Sequence, residues 1–323
     1  MTHRRNTTLI TMLFLLLSVF FGVMAQDAVI SSVDYSPSGA KLALSTDFTV
    51  QIIDTTSGQT ISTLPTFDDL VIAVKWDSSE TKLAVATGNR VQIWNVSTNQ
   101  SVLTFQDHSH PVKSVAWSPN GNKIASASGE EVQIWNSTTG ELLLTLSGHI
   151  QSVTEVIWSP DGTQVATSGL DSAILVWDAA TGELLEAYRI QDSLDPEVDR
   201  PPIYSISWKS DGSQIAAASL DGSVRILDAA TLEPLSLLKG HLDSPVSVAW
   251  SPDGQYLASG SVDSTIRIWD VTTSQTVEVI QVDTSVTSLS WSPDSSKLAY
   301  ADANGTLHMT PITSSMTTPT PPP

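Results

Sequence analysis

Residues 240–270 read GHLDSPVSVAWSPDGQYLASGSVDSTIRIWD, and residues 148–178 read GHIQSVTEVIWSPDGTQVATSGLDSAILVWD. In the first stretch Ser247–Trp250 has strand character and Ser251-Pro-Asp-Gly254 forms a turn. Proline in second place, with Asp-Gly behind it, presets the geometry of that turn. Tyr256–Ser261 reads as a second strand, and Val262-Asp263-Ser264 turns the chain into Thr265–Trp269. There Ile266 and Ile268 alternate with polar neighbours, and Thr276–Gln281 alternates again. One unit is therefore four short strands.

The unit repeats. An aromatic residue followed by a turn stands at Tyr35, Trp76, Trp117, Trp158, Trp208, Trp250 and Trp291, with spacings of 41, 41, 41, 50, 42 and 41. A second mark keeps step at Ile53-Asp54, Trp94-Asn95, Trp135-Asn136, Trp177-Asp178, Leu227-Asp228 and Trp269-Asp270, with Met309-Thr310 as a degraded seventh. Four-stranded units of about 40–45 residues cannot bury their faces alone, and radial stacking solves that problem. The expectation is an all-β, seven-bladed β-propeller of four-stranded antiparallel blades over residues 27–310.

The two quoted stretches resemble WD repeats almost letter for letter, and the likeness extends from Asp27 to Met309. It implies that each blade is fixed by a buried chain of His, Ser/Thr, Asp and Trp. In one blade these would be His241, Ser259, Asp263 and Trp269, and in another His149, Thr167, Asp171 and Trp177. The third repeat keeps His108, Ser126 and Trp135 without the aspartate, and the second has no Gly-His. The fifth keeps Asp221 but has Leu227 for tryptophan, so Asp221 is expected to matter less than Asp263. The incomplete blades are expected to rely on apolar packing. The seventh has three good strands or takes a weak fourth from the tail, and if the N-terminal signal segment is retained its end, near Ser18–Met24, could fill the gap instead.

Charge narrows the function. The 323 residues carry 15 Lys+Arg against 34 Asp+Glu, a net −19, which disfavours a nucleic-acid groove. The chain has no cysteine, so thiolate chemistry and disulfides are absent. Residues 1–8 carry Arg4 and Arg5 and no acid, and Leu9–Met24 is nearly all apolar before Ala25. That pattern describes a signal peptide, residues 1–25, and an extracytoplasmic protein. The alternative is a membrane anchor formed by residues 9–25, the one reading that involves a membrane. Residues 311–323 read as a disordered Pro/Thr-rich tail.

No nucleophile elbow, zinc motif or phosphate loop occurs, so no catalytic residue, metal or cofactor is assigned. His110 and His308 stand alone. One connection is long: Gln191–Pro202 holds Asp192, Asp195, Glu197, Asp199 and Arg200. These are the candidate partner-binding residues, on the face of the Gly-His loops, and their acidity suits a partner with a basic surface. A tolerated insertion and a metal loop are the other readings. The expected function is a non-enzymatic protein-interaction scaffold outside the cytoplasm. Two alternatives stand beside it: a propeller hydrolase or lyase, with acids and histidines converging in the central channel, and a six-bladed periplasmic import-accessory propeller.

Overall fold

The computed structural model describes residues 29–106, 108–190 and 200–312. These form 27 strands, numbered β1–β27 in chain order, in six four-stranded sheets and one three-stranded sheet. The fold is a seven-bladed β-propeller, which excludes the six-bladed alternative. Residues 1–25, including the anchor reading of 9–25, and residues 313–323 lie outside the described residues.

Blade six shows the unit. β21 (Pro245–Trp250), β22 (Tyr256–Ser261), β23 (Thr265–Asp270) and β24 (Gln275–Gln281) pair antiparallel in order. In the first turn the Gly254 N–H donates to the Ser251 carbonyl at 2.8 Å, and Gly254 adopts φ +70°. A side chain there would crowd its own backbone, so glycine is the natural choice. The Ser251 hydroxyl donates to Asp253 at 2.6 Å, closing the turn from inside.

Blade seven holds three strands: β25 (Val286–Trp291), β26 (Lys297–Asp302) and β27 (Leu307–Pro311). Lys297 pairs with Pro311 as Tyr256 pairs with Asp270. The place of Trp269-Asp270 therefore falls on Thr310-Pro311, one residue beyond the mark read from the sequence. Met309 attracted that reading as the nearest bulky residue. Ile312 follows and packs on the core between blades six and seven.

Seven apolar clusters occupy the seven joints between neighbouring blades. At one, Ala84, Ala86 and Ile93 of blade two meet Val112, Val115 and Trp135 of blade three. The second strands carry small residues because another sheet lies against them. The first strands of neighbouring blades are also bonded to each other. Ser205 Oγ accepts the Val248 N–H at 3.1 Å and Ser207 Oγ accepts that of Trp250 at 3.0 Å. At the closing seam Ser288 accepts the Val33 N–H at 3.1 Å, and Ser290 that of Tyr35 at 3.3 Å. The first strands therefore ring the axis.

Candidate interaction face

The polar chains are continuous in blades four and six. In blade six the Trp269 indole N–H donates to Ser259 Oγ at 2.8 Å, and Ser259 lies 2.7 Å from His241 Nε2. Ser259 has accepted one proton and so gives its own to Nε2, which leaves Nδ1–H for Asp263 Oδ2 at 3.0 Å. Blade four repeats this through Trp177, Thr167, His149 and Asp171, at 3.1, 2.8 and 2.9 Å. In blade three Trp135 and His108 meet at Ser126, at 2.9 and 2.8 Å.

Each chain ends at the surface. Asp263 Oδ2 also accepts the Leu242 N–H at 2.8 Å, and Asp171 Oδ2 that of Ile150 at 3.0 Å. These bonds fix the backbone while both side chains point to water: Leu242 is 93% exposed and Ile150 69%. Burial alone would raise the carboxyl of Asp171, but the His149 bond and charge, the Ile150 amide and Arg189 hold it below the ordinary range. Burial is also the largest influence on Asp263, outweighed by Thr265, Leu242 and His241. Burial pulls the His241 imidazole down, against the attraction of Asp263.

Leu242 lies between β20 (Pro234–Lys239) and β21, and Ile150 between β12 (Leu142–Ser147) and β13 (Val153–Trp158). The long connection joins β16 (Leu184–Arg189) to β17 (Ile203–Trp208). All three link an outer strand to the next inner strand, so Ile150, Leu242 and the described ends of the long connection, Ile190 and Arg200, share a face, with those ends between the other two. Of the candidate loop residues Arg200 is exposed, whereas Asp192, Asp195, Glu197 and Asp199 lie outside the described residues. Ile150 and Leu242 escaped the sequence reading, although each is the apolar residue directly after a Gly-His pair.

Other blades replace the chain. In blade two Phe67 takes the histidine's place and meets Trp94 edge-on at 5.5 Å, while Gln92 accepts the Trp94 N–H at 2.9 Å. Blade five corrects an expectation. Asp221 is not a remnant, for it pairs with the buried Arg225 at 2.6 Å, and Arg225 also reaches Ser223 at 2.7 Å. That blade has a polar cluster of its own. His308 is not alone either: it lies 3.2 Å from Asp302 and stacks on Tyr300.

The channel holds Asp34 and Lys75, paired at 3.3 Å, with Glu155 across from them on β13. Asp34 accepts the Trp76 N–H at 2.8 Å and Glu155 that of Ile206 at 2.7 Å. They stand where serines bind the next blade at other joints. Burial raises both carboxyls, and Lys75 partly offsets this. Asp34 and Glu155 each act on Lys75, and each also accepts a backbone N–H of the next blade, so both acids bond across joints of the ring.

A family model described as WD domain, G-beta repeat matches residues 99–136, 140–178, 197–228, 232–270 and 275–309. Four of these segments open at the outer strand of one blade and close on the third strand of the next. Blades one and two, with Ile53 and Phe67 at positions of the polar chain, lie outside the matched segments save for the end of blade two. No curated protein matches the chain. With more than half of its length matched, the chain belongs to the WD domain, G-beta repeat family.

Proposed function

We propose that the chain is an extracytoplasmic, non-enzymatic scaffold that holds a partner protein on the Gly-His face. The observation that carries this reading is the pair Ile150 and Leu242, bulky apolar side chains in water on backbone pinned by buried aspartates. Interface anchors act best when their position costs little ordering on binding. Exposed Asp243 beside Leu242 and the acids of residues 191–202 would rim these anchors. The partner accordingly offers an apolar centre with basic groups around it. Export rests on the Arg-led apolar segment, with a mature chain beginning at Gln26.

An affinity pull-down from the extracytoplasmic fraction tests the scaffold. Ile150→Asp/Leu242→Asp should abolish capture while leaving the thermal midpoint nearly unchanged, since both side chains already face water. Cutting residues 191–202 to the length of the neighbouring loops should weaken capture more at low salt than at high. Undiminished capture by both variants would remove this face from the function. N-terminal sequencing decides export, and an intact Met1 in the cytoplasm would overturn it.

A further inference from the structure

We propose that the channel mouth on the Ser-Pro-turn face, opposite the Gly-His loops, binds extended proline-rich chain, and that its occupant is this protein's own tail, Thr313–Pro323. The first argument concerns where the tail cannot go. In the six complete blades a four-residue turn joins third strand to fourth, with pairs such as Asp54 N–H to Gln59 O at 2.9 Å and Asp178 N–H to Glu183 O at 2.9 Å. The same turn after Pro311 would set Pro319, Pro321 and Pro323 where Glu278, Ile280 and Val282 stand in blade six. Those positions give their N–H groups to the third strand: Leu64, the counterpart of Ile280, donates to Val50 O at 2.8 Å, and Val282 to Ser264 O at 2.9 Å. Proline has no N–H to give, and three fall in phase. With that turn the tail could not complete its own blade by regular pairing along the open edge.

The second argument concerns where the chain is left. The Ile312 N–H donates to the Ser296 carbonyl at 2.9 Å. Ser296 and Lys297 line a cavity of about 330 Å³ at the seam of blades seven and one. It shares Tyr35 and Pro293 with a cavity of about 420 Å³ at the channel mouth. Trp117, Trp291, Pro37 and Pro119 give that mouth flat apolar walls, and Ser78 adds a hydroxyl. Flat rings and hydroxyl donors suit a polyproline-II strand, whose carbonyls have no partners of their own. At about 3.1 Å per residue, Thr313–Thr318 in extended form would span ~19 Å, which tethers the proline run within that reach of the seam cavity and the mouth it adjoins. Tethering supplies a millimolar effective concentration, so weak contacts suffice.

The test exploits the absence of cysteine. In the full chain Thr320→Cys is paired with Ser78→Cys on the rim, or with Phe48→Cys, 44% exposed on the opposite face. A short thiol cross-linker should join the rim pair at least roughly tenfold faster than the control pair. Changing Pro319, Pro321, Pro322 and Pro323 to serine should bring the rim rate down to the control. Excess free peptide of residues 313–323 should compete. Equal rates for the two pairs, or a rim rate indifferent to the prolines and to the peptide, would overturn the proposal.

Discussion

Ser172 carries a side chain where the backbone favours glycine. It follows Asp171 in the turn between the second and third strands of blade four, at φ +63°, and blade five has Gly222 at the same place, at φ +81°. Ser172 is fully buried, and its hydroxyl meets no hydrogen-bond partner among the described residues. A left-handed non-glycine residue costs about 1–2 kcal/mol and an orphaned buried hydroxyl about 1–3 kcal/mol. Glycine gives back ~0.5–1 kcal/mol through unfolded-chain entropy. We expect Ser172→Gly to raise the unfolding free energy by about 1–2 kcal/mol; a lowered denaturant midpoint would refute the strain. His241 carries a pH signature of its own. Its folded pKa lies below its unfolded value near 6.5, so the unfolded chain takes up the proton first. The stability due to neutral His241 is complete above that value and is lost as pH falls toward the folded pKa. Between pH 7 and 5 the urea midpoint of the native chain should fall more steeply than that of His241→Gln. The histidine and aspartate positions could be read from spacing, because a buried chain needs fixed offsets. The exposed anchors share an offset too, one residue after each Gly-His pair, but an apolar residue there does not by itself say that it faces water.

At the scale of the blade, strands and turns were legible because each turn type demands its own residues and each strand alternates about a buried face. Substitutions inside the motif were not. Leu227 in place of tryptophan suggested an apolar blade five, yet the strand also carries Arg225, four residues from Asp221 on the far side of a turn. A side-chain pair across a turn has no sequence signature as regular as the tryptophan mark. The consequence reverses the first expectation for Asp221. Asp221→Ala strips a carboxylate from a buried guanidinium, whereas Asp263→Ala strips one from a buried imidazole and from the Leu242 and Thr265 amides. Both should cost about 1–3 kcal/mol, with Asp221 no cheaper than Asp263. Urea midpoints of the two variants check this. A markedly smaller loss for Asp221→Ala would show Arg225 adequately held without it. Asp263→Ala should in addition lower partner capture, because it releases the loop that presents Leu242.

The whole ring depends on one joint that differs from the rest. Six joints have a covalent connection between neighbouring blades as well as an apolar cluster and cross-strand bonds. The seventh, between blades seven and one, has an apolar cluster of Ile30, Val33, Leu42, Ala299 and Ala301 and the same kind of bonds. Among the described residues no strand crosses it and no loop spans it. Opening any other joint still leaves two blades tethered, so the gain in chain freedom is small and reclosure is local. Opening the seam turns a ring into an arc, and only non-covalent contacts oppose that step. Equivalent bond losses should therefore have unequal dynamic effects. Ser205→Ala/Ser207→Ala removes the acceptors for Val248 and Trp250, and Ser288→Ala/Ser290→Ala those for Val33 and Tyr35. Each pair leaves two buried amides short of partners, so both variants should lose a similar ~1–3 kcal/mol in global stability. Native-state hydrogen exchange should separate them. In the seam variant, backbone amides across β1 (Ile30–Tyr35) and β25 should exchange by sub-global opening roughly 10–100-fold faster than in the native chain. In the other variant β17 and β21 should continue to exchange with the global unfolding of the ring. Comparable acceleration at both joints would mean that the loop connections contribute nothing to holding blades together, and that the ring opens anywhere with equal ease.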